Sequence, residues 1–204
     1  MLRTGRGTMT EKDDKKDSPK STSCKITEQI HNPALKPLCE FWDEVRGDRL
    51  LPHTSDVDPS QIAYILKDIA ILDVIDPMNI QYRLAGTGIA ERMGEDPTGN
   101  NLIEMTAPET RATVSKILSL IVSHPVGAIA TYENVYSTGK RAVVQSLYLP
   151  LQKAEGRSVR IVSVHSQEAT LTYEDEQAHS TVAAKILELK WIDLGAGIPD
   201  EMLA

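Results

Sequence analysis

The sequence predicts an α+β domain: a five-stranded antiparallel sheet with helices on one face, plus flanking N- and C-terminal helices. Three observations predict it. Two short strand-like runs, Ile69–Ile75 and Ile80–Ala85, are separated only by an Asp-Pro-Met-Asn turn. One longer apolar-striped helix follows from Thr106 to His124. Three further strand-like segments then succeed one another between Val126 and Ser166 with short connections, which implies antiparallel neighbours.

Residues 1–31 mix Lys, Asp, Ser, Thr and Gly without apolar periodicity and read as a disordered tail. Order is expected from Asn32-Pro33, a good cap followed by a residue suited to the first helical turn. Leu35, Leu38, Trp42 and Val45 then form a helical stripe, with Phe41 beside them, and Gly47 stops the helix. A second helix is predicted at Asp58-Pro59, with Ile62, Ile65, Leu66 and Ile69 as its apolar side. Gly86 and Gly88 close the second strand. Short helical pieces are expected around Ile89–Met93 and Asn100–Met105.

Thr106 and Glu109 have capping-box spacing for the long helix, and Val114, Ile117, Leu118, Ile121 and Val122 make its stripe. His124-Pro125 ends it, because a residue before proline leaves the α region. The three strands are read as Val126–Tyr136, Arg141–Leu151 and Val159–Ser166, with a turn at Ser137–Lys140 and a loop carrying Glu155-Gly156. Ala178, Val182, Ile186 and Leu189 predict a final helix over Glu174–Leu189. The organisation is thus a tail (1–31), one domain (32–170) and a C-terminal helix with its tail (171–204).

The chain has 204 residues and a net charge of −7, which suits one domain with tails. Acidity argues against nucleic acid as a partner, since the only basic cluster, Lys12 to Lys20, is interleaved with Glu11, Asp13, Asp14 and Asp17. Aromatic residues are only 4%, so stacking platforms for bases are scarce. Cys24 and Cys39 form no CxxC motif and point to a reducing compartment. No secretory h-region is evident, and the most apolar stretch, Val114–Ala130, is interrupted by Lys116, His124 and Pro125. A cytoplasmic protein without membrane insertion is expected.

Several groups of residues carry a more specific signal. Phe41-Trp42, Leu51-Pro52, Asp56-Val57-Asp58-Pro59, Tyr82 to Thr87 and Gly94-Glu95-Asp96-Pro97-Thr98-Gly99 occur in this order, followed by Leu149-Pro150-Leu151 and a turn at Gly156. Together they resemble a family of stand-alone bacterial PAS proteins common in alphaproteobacteria, over about residues 38–166. The chain departs from that pattern at His53-Thr54, where the family often has a basic residue. The resemblance implies a sensory or protein-interaction role, usually without catalysis.

His53, Asp56 and Asp58 are close enough to suggest a cation, but Asp58 suits a helix cap and Asp56 a turn, so no metal site is expected. Haem held by a histidine is disfavoured: His124 sits at a helix end and His165 lies alone on a strand. A flavin photosensor needs a reactive cysteine within the core helices, and neither Cys24 nor Cys39 is placed there. Gly86-Thr87-Gly88 lacks the third glycine of a dinucleotide fingerprint. Ser163 and His165 share a strand face but lack a nameable carboxylate partner.

Three readings result. The first is a sensor binding a small apolar or anionic ligand in a pocket lined by Arg83, Val114, Ile117, Ile121, Tyr132, Leu147, Leu149 and Val164, with Arg83 holding the anionic group. The second is a ligand-free dimerisation or interaction module using the Leu35, Leu38, Trp42 and Val45 stripe, which alternatively covers the domain's own sheet. The third is a small enzyme with Asp73 as general base; an outward-facing Asp73 is the simpler reading, and no catalytic residue is expected. The sequence requires no cofactor. The expected partners are a second copy of the chain and an unidentified signalling protein, since no kinase, cyclase, phosphodiesterase or DNA-binding segment follows in this sequence.

Overall fold

A computed structural model describes residues 26–153 and 158–198; the side chains of Ser158 and Val159 lie outside the description. The Glu155-Gly156 loop, Cys24 and the tail up to residue 25 fall outside it too. One antiparallel sheet organises the chain. Its strands are β1 (Ile69–Asp76), β2 (Asn79–Ala85), β3 (Val126–Val135), β4 (Lys140–Gln152), β5 (Ser158–Tyr173) and β6 (Thr181–Asp193), in spatial order β2-β1-β5-β4-β3-β6. Helix α1 (Lys36–Arg46) precedes the sheet, and α2 (Thr87–Met93), α3 (Leu102–Met105) and α4 (Arg111–Ser123) connect its two halves.

The sheet therefore has six strands, not five. The predicted C-terminal helix is instead β6, paired along β3 from Val126↔Asp193 to Val135↔Thr181. Its register shifts explain the misreading. Ile186 opposes Tyr132 and Glu188 opposes Thr131, leaving Leu187 as an inserted residue, and a second irregularity surrounds Val182–Ala184. Each bulge turns a two-residue step into a three- or four-residue one, so Val182, Ile186 and Leu189 reach one face with apparently helical spacing. Ala183 takes φ +47° within this stretch.

Two cores flank the sheet, giving three layers where helices on one face were expected. The inner core joins Ala70, Leu72, Ile80, Tyr82, Ala130 and Tyr132 to Leu102, Ile117, Leu118 and Ile121 beneath α2, α3 and α4. The outer core joins Ile129, Leu147, Leu149, Val162, Val164 and Ile192 to Ile26, Ile30 and the buried side of α1. Ile26 and Ile30 are each only 1% exposed, so the ordered chain includes residues assigned above to the tail. They were missed because two isolated isoleucines in a polar stretch produce no periodicity.

The α1 stripe is corrected in the same way. Leu35, Leu38 and Trp42 are buried against the chain's own sheet, and Val45 packs partly buried beside them. The indole N–H of Trp42 donates to the Pro150 carbonyl at 2.9 Å. Arg46 donates to the Asp43 carboxylate and, at 2.8 Å, to the Leu194 carbonyl, and its guanidinium stacks over Trp42. Burial of this ion pair is tolerable because the charges meet each other and a carbonyl. The stripe thus covers the outer sheet face and leaves little for a partner.

Elsewhere the local chemistry shifts element ends. Asn32 accepts from the Ala34 N–H, but α1 begins only at Lys36, with Pro37 in its first turn. The predicted second helix is broken into 3-10 turns, one capped where the Asp58 side chain accepts from the Ser60 N–H. Thr106 forms no capping box; its hydroxyl donates to the Leu102 carbonyl, and α4 starts five residues later. Gly86 is fixed by contact rather than by φ: a Cβ there would stand 2.1 Å from the Leu66 carbonyl oxygen.

Candidate functional site

β3, β4 and β5 bring polar side chains together on the inner face. Cross-strand pairing sets Ala130 beside Ser146, Ser146 beside His165, and Tyr148 beside Ser163. Alternation along each strand then points Tyr132, Ser146, Tyr148, Ser163 and His165 towards α2 and α4. The Tyr132 hydroxyl lies 2.8 Å from Ser146 Oγ, 3.2 Å from His165 Nδ1 and 3.3 Å from the Tyr148 hydroxyl, which donates to it. Ser146 Oγ is 2.7 Å from the same Nδ1, and Ser163 Oγ is 2.9 Å from Nε2. The Tyr148 and His165 rings meet edge to face, 5.8 Å between centroids.

His165 is half-buried by area, yet both ring nitrogens are occupied by hydroxyls. Burial, followed by the positive charge of nearby Arg92, lowers its pKa to about 3. The imidazole is therefore neutral at physiological pH. Arg92 is anchored by a 2.7 Å bond to Asp68. Burial also raises the phenols of Tyr82, Tyr132 and Tyr148.

Tyr132 lines two cavities of about 30 Å³ each. The first is bounded by Tyr82, Arg92, Asn134, Tyr136 and His165 among others. The second is bounded by Leu102, Val114, Ile117, Leu118, Tyr148 and Ile186 among others. Tyr132 and Val182 line both. A third, open cleft of about 1010 Å³ lies on the surface beside the β1–β2 turn and α3.

Of the pocket residues expected from sequence, Val114, Ile117 and Tyr132 line the second cavity, and Ile121 is buried beside it in the inner core. Leu147, Leu149 and Val164 are corrected: they occupy the outer core, on the opposite sheet face. Arg83 is also corrected, since its side chain is 54% exposed and pairs with Asp73 at 3.5 Å. The sequence reading missed Ser146, Tyr148 and Arg92. Ser146, Ser163 and His165 were the available signal, being polar residues within otherwise apolar strands.

Asp73 is 24% exposed, and its carboxylate accepts from Arg160 and faces Arg83. Two guanidiniums occupy the oxygens that a general base needs, so the Asp73 enzyme reading is corrected. Ser163 and His165 do meet, but the other imidazole nitrogen faces hydroxyls rather than an orienting carboxylate. Asp56 pairs with Arg49 at 2.7 Å and Asp58 caps a turn, in keeping with structural roles. His124 lies 3.0 Å from the Gly197 carbonyl. Among the described residues no three His, Cys, Asp or Glu side chains converge as metal ligands. Cys39 is buried in the outer core, and burial raises its thiol to about 11. No helix among the described residues is long and apolar enough to cross a membrane.

An antiparallel sheet with a helical connector across one face, enclosing a small polar cluster, defines an α+β architecture. The model of the PAS domain family matches residues 30–165, and the chain belongs to that family. Such domains are generally non-catalytic sensory modules in signalling. A search of curated proteins finds no match.

Solved structures are similar to part of the chain at low identity. A structure titled "Flavin Analogue Sheds Light on Light-Oxygen-Voltage Domain Mechanism" is 18% identical, with a TM-score of 0.45 over 54% of this chain and 83% of that one. The light-state structure of the blue-light photoreceptor Aureochrome1 LOV is 23% identical, with a TM-score of 0.42 over 53% and 86%. The PAS domain of a protein from Colwellia psychrerythraea is 13% identical, with a TM-score of 0.42 over 53% and 95%.

Proposed function

We propose that this chain is a non-catalytic cytoplasmic sensor whose stimulus is a small molecule read at the Tyr132–His165 cluster. The observation that carries this reading is the position of Tyr132, which lines both cavities and whose hydroxyl joins the Ser146, His165 and Tyr148 bonds. Each cavity has room for about one water, whereas pockets for small molecules run to roughly 300–1,000 Å³. A ligand therefore needs Tyr132 to swing aside and merge the two spaces. That movement breaks the hydroxyl network and disturbs β3, and through it β6, which gives a route from stimulus to surface. The α4 side is apolar and the other side holds Arg92, so the fitting ligand has an apolar body and a polar or anionic end.

The test is native mass spectrometry of the full chain purified from its own host, paired with thermal shifts against a metabolite library. An excess mass lost on denaturation is the expected result. A ligand at 100 times its Kd stabilises by about 2.7 kcal/mol. Tyr132→Ala opens the space permanently and should strengthen the shift. No excess mass, with no thermal shift in either protein, overturns the ligand reading. The closed interior then favours the second reading, a ligand-free module that acts through an unidentified signalling protein.

A further inference from the structure

We propose that the outer edge of β6 is a self-association surface, joining two copies of this chain into one continuous antiparallel sheet. β6 is the last strand of the sheet. Its first residues are tied on both sides: Val182 accepts from the Ala107 N–H, and Ala183 accepts from the Thr110 hydroxyl. From Lys185 to Asp193, β3 is its only strand partner among the described residues. Such an edge presents N–H and C=O groups that water satisfies in a monomer and another strand satisfies in a dimer.

The charges along this edge select the occupant. Lys185 and Lys190, both exposed, would repel many strands, which is how natural edges are protected. A second copy is different. In a two-fold antiparallel pairing centred on Leu189, Glu188 of each copy stands opposite Lys190 of the other. Both charged residues of the regular stretch around Leu189, Glu188 and Lys190, lie on one face and meet their opposites. Centring on Glu188 sets two glutamates face to face, and centring on Lys190 sets two lysines face to face. Directly opposed charges of unlike sign stabilise antiparallel pairs and like charges destabilise them. The bulge at Leu187 shortens the regular stretch, so the dimer is reversible rather than obligate.

Sedimentation of the full chain tests this, with circular dichroism to confirm that each variant is folded. The wild type should dimerise, less so at high salt. Glu188→Lys and Lys190→Glu should each raise the dimer Kd at least about tenfold. The double variant restores complementarity and should dimerise again, and an equimolar mixture of the two single variants should form the heterodimer. Lys190 also donates to the Gln29 carbonyl, so rescue by the double variant, rather than loss in one single variant, carries the conclusion. A wild type that stays monomeric at about 100 µM, or a dimer indifferent to charge reversal, overturns the proposal. So does a dimer that forms only after deletion of residues 1–25, because the N-terminal segment would then be the occupant of the edge.

Discussion

His165 makes stability depend on pH in a window that can be worked out in advance. The folded chain holds its imidazole neutral down to about pH 3, while the unfolded chain protonates it near its ordinary value of 6.5. Between these values the unfolded state binds more protons. Stability from this group is therefore fully present above about pH 6.5 and is lost progressively as the pH falls towards 3. Between pH 7 and pH 5 the loss is about 2 kcal/mol, because the unfolded state gains its proton over that interval and the folded state does not. For a chain of this size that corresponds to a fall in Tm of roughly 4–8 °C.

Carboxylates titrate near the lower end of the same range, so the assay compares two proteins. Thermal melts of wild type and His165→Gln are recorded at pH 7 and pH 5. Glutamine keeps hydrogen-bonding capacity towards Ser146 and Ser163 and cannot titrate. The variant should be less stable at pH 7, by about 1–3 kcal/mol, but its stability should fall about 2 kcal/mol less between the two pH values. Equal pH dependence in the two proteins refutes the reasoning: the imidazole would then be open to water, and the hydroxyl cluster would not be the closed network described.

Two further perturbations test the layers around that cluster. Arg46→Ala leaves the buried Asp43 carboxylate without its cation and should cost about 3–5 kcal/mol in urea unfolding, whereas an exposed surface pair would cost under about 1 kcal/mol. Gly86→Ala drives a Cβ into the Leu66 and Lys67 backbone where β2 turns into α2; it should lower stability by more than about 1 kcal/mol, while Gly99→Ala, with open space around it, should register only the strain of its φ of +88°.

What the sequence made legible follows from how many faces each strand buries. β1 and β2 sit at one side of the sheet, with Asp73 and Arg83 outward and Leu72, Ile80 and Tyr82 inward, so alternation alone located them. β4 is different. From Ser146 to Leu151 it is buried on both faces, and a strand of that kind reads as a continuous apolar run in which parity carries no label. Leu147 and Leu149 have the parity that faces the outer core, not the pocket. The polar residues held the missing information, since a buried serine or histidine needs partners and therefore faces other polar groups. Tyr132, Ser146, Ser163 and His165 share one face for that reason, and Leu147, Leu149 and Val164 must then share the other. The same logic accounts for α1: a sheet apolar on both sides needs a second cover, and the Leu35, Leu38 and Trp42 stripe provides it. The bulges of β6 lay beyond such reasoning, because an inserted residue is recognised by the strand it pairs with and not by its own neighbours.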